Sequence, residues 1–256
     1  MKRALLAMLA LAGAAAAHPH EPFVQRGMFE GYDVEALKAG EWVEYEEEVM
    51  EEPSRCRMAC IAVKDGTAWI EFTGGEKLAR WSGSVLRLAV DRKSRQVTEA
   101  VWGWPGEKVR EVAVYPLREP APKPEPDAAP KKDETPPAAP EEPPRKGKAV
   151  VEAEEAAVGD KKVACEKLSL DYTTAYPTGE ARFISRTWTS ASVPFRFSQK
   201  VEHLSALDWK GKPSWPGGLV KREIENAATG KVQKLELTAW GTDARETLKA
   251  GAEPAK

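Results

Sequence analysis

The chain has 256 residues, 38 of them basic and 40 acidic, for a net charge of −2. That near balance argues against a nucleic-acid binder, which carries a basic face. The length suits one large domain or two small ones, and no stretch after the first seventeen residues is apolar enough to span a bilayer, which takes about 20 apolar residues.

At the start, Lys2 and Arg3 are followed by the uncharged, leucine-rich run Ala4 to Gly13 and the small residues Ala15-Ala16-Ala17. Charge, apolar stretch and small-residue exit predict a secretory signal peptide over residues 1–17, cleaved near Ala17. No cysteine follows, which argues against lipid anchoring, so the expected location is the periplasm or the outside. Removing Lys2 and Arg3 moves the net charge from −2 to −4. Export permits a disulfide. Cys56 and Cys60 are separated by about 13 Å on a strand, too far for a bridge, which needs Cα atoms within about 7 Å. Any disulfide therefore joins Cys165 to Cys56 or Cys60; three unbridged thiols are the alternative.

Next come short strands. Trp42 to Val49 sets Val43, Tyr45 and Val49 on one face and acidic residues mainly on the other. Arg57 to Val63 is more continuously apolar, and Asp65-Gly66 is a hairpin signal. Thr67 to Phe72, Val85 to Val90, Gln96 to Trp102 and Val109 to Tyr115 complete a first strand group within 18–116, the pattern of an antiparallel meander. From Pro116 to Pro144 lie eleven of the twenty prolines. Residues 117–148 so read as a disordered linker or long surface loop, because little there is able to offset the entropy of ordering.

A second group spans 149–245. Ala149 to Glu155 is ambiguous between strand and helix. Lys162 to Tyr172, Ala181 to Thr189, Gly218 to Glu225 and Lys231 to Trp240 alternate, with Val220, Arg222 and Ile224 facing one way. Helix is expected only as a turn or two at Asp33 to Ala39 and Lys200 to Leu207. Residues 246–256 read as a flexible tail. The expected class is mainly β: a curved antiparallel sheet or incomplete barrel with little helix. One shared sheet is favoured over two small ones, since each group alone buries too little surface.

Chemistry-bearing residues are sparse. His18-Pro19-His20 lacks the amide that an amino-terminal copper site needs, because proline has none. His203, Ser205 and Asp208 supply the residue types of a hydrolytic triad without a nucleophile elbow. The cysteines and one internal histidine do not make a zinc set. Neither a catalytic residue nor a metal or other cofactor is expected. Glu44, Glu46, Glu47 and Glu48 read as a solvated strand face that discourages edge-to-edge pairing. Nine tryptophans are the unusual component. Most read as core, and Trp209 to Gly218 is the best candidate for an exposed aromatic loop.

The motifs Gly40-Glu41-Trp42-Val43-Glu44-Tyr45, Trp188 to Pro194 (W-x-S-x-x-V-P) and Gly218-Leu219-Val220-Lys221, with Gly159 to Cys165 between, resemble a group of secreted bacterial β-rich proteins. Their fold is similar to the half-barrel of the outer-membrane lipoprotein carriers. The resemblance touches both strand groups and implies an apolar concave face and no catalytic residues. Two departures stand out: the proline-rich stretch, and residues 195–217 between V-P and G-L-V-K. The expected function is an exported, non-enzymatic β-protein that binds a hydrophobic small molecule, such as a lipid or acyl chain, or an envelope partner. Trp188, Trp209 and Trp215 are its candidate ligand residues. A structural envelope module with a fully packed core is the alternative.

Overall fold

The computed structural model describes residues 22–49, 52–74, 83–116, 146–176, 179–198, 206–227 and 229–248. The expected signal peptide, His18, His20, Trp81, residues 117–145, His203, Ser205 and residues 249–256 lie outside them. Among the described residues there is no α-helix, only a 3-10 turn at Val34–Ala36.

Fourteen strands form among the described residues. β1 (Val24–Gln25) pairs with β8 (Val114–Tyr115) in a small parallel ladder. The others are β2 (Trp42–Val49), β3 (Glu52–Lys64), β4 (Thr67–Gly74), β5 (Val85–Asp91), β6 (Val97–Gly103), β7 (Arg110–Glu111), β9 (Lys146–Val158), β10 (Lys161–Tyr176), β11 (Gly179–Ser190), β12 (Asp208–Lys210), β13 (Gly218–Asn226) and β14 (Lys231–Gly241). These twelve make one open sheet in the order β12-β9-β10-β11-β13-β14-β2-β3-β4-β5-β6-β7. Every ladder in it is antiparallel except β12 on β9. The two strand groups meet where β14 pairs with β2, Leu237 opposite Tyr45. The sheet is curved and mainly antiparallel, as expected, and does not close into a barrel.

Local chemistry explains the meander. Asp65 and Gly66 both have positive φ, 51° and 77°, which the tight β3–β4 hairpin requires. At the β5–β6 turn the Asp91 carboxylate accepts from the Ser94 amide at 2.6 Å, which holds its carboxyl below the usual range. Val43, Tyr45, Ile70, Leu88 and Val90 are fully buried on the inner face. Val24, Phe29, Val34 and Leu37 of the preceding segment cover them. Arg92 fastens that cover by donating to the carbonyls of Val34, Glu35 and Leu37.

Several expectations change. Val109 to Tyr115 is not one strand but β7 and β8, which pair with different partners. Ala149 to Glu155 is strand, inside β9, whose start at Lys146 lies within the stretch assigned to the linker. β2 is an interior strand, so its glutamates have no edge to protect. Instead Glu46 meets Arg55 at 3.5 Å and Glu48 meets Lys234 at 3.6 Å across the ladders. The chain beyond Gly241 stays on the sheet: Leu248 is 1% exposed, so Glu246 to Leu248 are docked rather than frayed. Ala206 and Leu207, at the end of the expected helical turn, are not helical.

Beyond the end of β11, the β9–β10 hairpin continues alone and bends toward β14. Lys161 lies 5.2 Å from the ring centroid of Trp240. Val158, Val163 and Cys165 at that hairpin end join the main core cluster. A smaller cluster, Ala149, Leu168, Leu170 and Leu207, sits on β9 and β10.

Candidate functional site

Cross-strand register sorts the candidate residues by face. Leu168 pairs with Thr187, Thr187 with Arg222, Arg222 with Leu235 and Leu235 with Glu47. These residues form one row on the inner face, the face that carries Tyr45. Trp188 pairs with Lys221 one position along, and successive strand residues point to opposite faces. Trp188 therefore stands on the other face from Arg222. The Lys167 and Lys221 ammonium groups lie over its ring, 5.2 and 5.4 Å from the centroid.

Trp209 and Trp215 do share a place. Both pack on the inner-face cluster of Ala149, Leu168, Leu170 and Leu207. The segment that carries them is tied down at Ser214, whose amide donates to the Glu166 carboxylate at 2.8 and 3.0 Å. Of the 195–217 insertion, Asp208–Lys210 is the edge strand β12 of the sheet, and the described residues 195–198 and 211–217 form a strap over its inner face rather than an exposed aromatic loop. A bulge between Trp188 and Thr189 lets β13 leave the strap. Gly218 permits it, since a Cβ there would stand 2.3 Å from the Val193 carbonyl oxygen. The strap meets the N-terminal cover through the Tyr32–Phe197 bridge, and its own two ends meet through the Phe197–Gly217 bridge. A chain of rings, Phe72, Phe29, Tyr32, Phe197 and Trp215, links the main cluster to the small one at centroid separations of 5.3 to 6.1 Å.

The three predicted tryptophans accordingly do not converge. What the inner face holds instead is a cation. The Nε and Nη2 atoms of Arg222 are buried, and burial pushes the guanidinium pKa down to about 10, with Tyr32 and Tyr172 acting in the opposite direction. It remains a cation at neutral pH. Burial likewise raises the Tyr32 hydroxyl far above its ordinary range. The Tyr45 hydroxyl, raised for the same first reason, donates to the Leu219 carbonyl at 3.1 Å. Ser185, Thr187 and Thr189 of β11 add buried hydroxyl side chains on that face. Arg222 was visible in the sequence as a charge in an otherwise apolar register between Val220 and Ile224.

The remaining candidates are quickly placed. The structure holds Cys56, Cys60 and Cys165 as thiols, with no bridge from Cys165 to either of the others. Cys60 and Cys165 instead face carbonyls of their own strands, Ala62 and Val163, at 3.7 and 3.3 Å. Burial raises both thiols, Cys60 to about 11. Asp208 is exposed on β12 opposite Lys148. Among the described residues no group of three His, Cys, Asp or Glu side chains is placed to hold a metal, and no helix is long and apolar enough to cross a membrane.

No family model and no curated protein matches the sequence. Similar solved structures include two from Bacteroidetes-type exported proteins. One is a candidate exported protein with a YmcC-like fold from Bacteroides fragilis, 9% identical, with a TM-score of 0.32, covering 80% of this chain and 96% of that one. The other is a candidate lipoprotein from Parabacteroides distasonis, 10% identical, with the same TM-score and coverage. The fold assignment stands on the strand pairing described above.

Proposed function

We propose that this is an exported, non-enzymatic β-protein that binds an amphiphile, an acyl chain or lipid with an anionic head, on the inner face of its open sheet. The observation that carries this is the buried Arg222 guanidinium in one cross-strand row with Leu168 and Thr187. A buried cation favours an anionic partner, and the neighbouring apolar cluster offers a tail about 0.8 kcal/mol per buried methylene. Entry would need the strap carrying Trp215 to lift.

The second reading is a structural envelope module with a packed core. Supporting it, Phe195 is 2% exposed and Trp215 already lies on the small cluster, so the strap covers the inner face with its own side chains. One experiment separates the two. The protein is recovered from the periplasm, examined by native mass spectrometry, and titrated with a fluorescent fatty acid. The binding reading expects retained lipid, saturable fluorescence, and at least about tenfold weaker binding for Arg222→Met, the loss of one charge-assisted contact. No lipid and no saturable binding would leave the packed module.

A further inference from the structure

A second built site lies on the opposite face. Gly241, Trp42, Ala59, Glu71, Arg87 and Val101 form one row across β14, β2, β3, β4, β5 and β6. The chain after β14 follows that row. The Trp42 indole donates to Asp243 at 2.7 Å, and the Ala244 amide donates to the Gly40 carbonyl at 2.8 Å. Three strand spacings separate Trp42 from Arg87, about 14 Å, which five extended residues span.

At the end of this path is Glu71, a carboxylate on an interior strand that is only 2% exposed. Its two oxygens accept consecutive backbone amides, Thr247 at 2.9 Å and Leu248 at 3.1 Å. Arg87 donates twice to Glu71, at 3.1 and 2.7 Å, and also to the Leu248 carbonyl. It further pairs with the Glu246 carboxylate at 2.8 Å. Glu71 and Arg87 therefore contact two amides, one carbonyl and one acidic side chain of a single segment that bends at Thr247 and Leu248, and the Leu248 side chain is buried. Residues 242–248 form no strand of their own. The clamp recognises main chain, and nothing in that recognition requires the segment to belong to the same molecule.

We infer that the Glu71–Arg87 clamp is a peptide-binding site for an acid-x-leucine segment, filled in this chain by its own Glu246-Thr247-Leu248. The tail is then an internal competitor, and a segment of the same chemistry presented in trans takes its place when the tail is weakened. This site is separate from the Arg222 face, so either survives the failure of the other.

The test uses the full-length protein and a labelled peptide carrying residues 242–250. Leu248→Asp weakens the internal tail, and circular dichroism checks that the fold is kept. The labelled peptide should bind this variant with a rise in anisotropy and bind wild type at least about tenfold more weakly, because the wild-type tail competes. Adding Glu71→Gln should abolish the gain, since a carboxylate accepts both amides and a carboxamide turns a donor toward one of them. A folded Leu248→Asp variant that does not bind the peptide, or binding that ignores Glu71→Gln, overturns the inference. Should Leu248→Asp fail to fold, hydrogen exchange on the wild type decides. The Thr247 and Leu248 amides should be protected and should exchange at least about tenfold faster in Glu71→Gln; exchange at the unfolded rate in wild type overturns the site.

Discussion

The two halves of this sheet are built from different strands and do different things with their inner face. From β2 to β6, strands of seven to thirteen residues bury Val43, Tyr45, Ile70, Leu88 and Val90 completely. From β9 to β14, apart from the short β12, strands of nine to sixteen residues give Val158, Val163, Cys165, Leu219 and Leu237 to the main cluster and also carry a small one of Ala149, Leu168, Leu170 and Leu207. Beside that cluster lie buried hydroxyls and Arg222. Apolar burial dominates folding, whereas a buried charge is a weak source of stability. The first half thus anchors the fold, and the second holds more of its buried polar side chains.

The sharpest way to break that comparison is to open a cavity in each half. Leu88 is fully buried in the large cluster, and Leu88→Ala should cost about 4 kcal/mol, near the upper part of the range for buried leucines. Leu168, 2% exposed in the small cluster, should cost about 2 kcal/mol, because its surroundings have fewer apolar atoms to lose and more freedom to relax. Urea unfolding of both variants measures the difference. A Leu168→Ala cost equal to or above that of Leu88→Ala would remove the division of labour.

The thiols sharpen the same contrast through pH. In the first half, burial holds the Cys60 thiol at about 11 against an ordinary 9.0. The native state then keeps a proton that the unfolded chain releases, so stability falls as pH rises through the interval from 9 to 11. The slope due to this group is at most about 1.4 kcal/mol per pH unit. Cys165 in the second half is also raised by burial. Urea midpoints at pH 8 and pH 10 should therefore converge more in Cys60→Ala than in Cys165→Ala. Equal slopes in wild type and Cys60→Ala would show that this thiol is not shielded as described.

Much of the meander was legible because one-sided burial imposes period two on a strand. Trp42 to Val49 is β2 to the residue, and Asp65-Gly66 makes the hairpin that the dipeptide specifies. What escaped was set by contacts distant in the chain. The parallel pairing of Val24 with Val114 joins segments ninety residues apart and leaves no mark in either. Glu71 alternates outward in Thr67 to Phe72 and reads as solvated, yet a tail more than 170 residues later buries it. The tryptophans signalled apolar area correctly and function poorly, since a ring does not announce its face: Trp188 and Trp215 lie on opposite sides. Arg222 is a different signal: a charge within an apolar register is costly to bury, so its place on the inner face stands out.

The smallest effect concerns what holds the long strands at their exposed end. The Arg182 guanidinium meets the Asp171 carboxylate through two contacts, at 2.8 and 2.7 Å, across the β10–β11 ladder. This pair holds the Asp171 carboxyl below its usual range. Its contribution is present above the ordinary aspartate pKa of about 3.9 and is lost as pH falls toward the lowered native value. Both side chains are about half exposed, 55% and 47%, so solvent screens the interaction despite its geometry. Asp171→Asn should cost about 0.2–1 kcal/mol at neutral pH, with the difference from wild type vanishing in acid and shrinking in high salt. A larger, salt-insensitive cost would mean that this end of β10 and β11 is a buried anchor, and the stability of the second half would then rest on its strand ends rather than on Leu168 and Leu170.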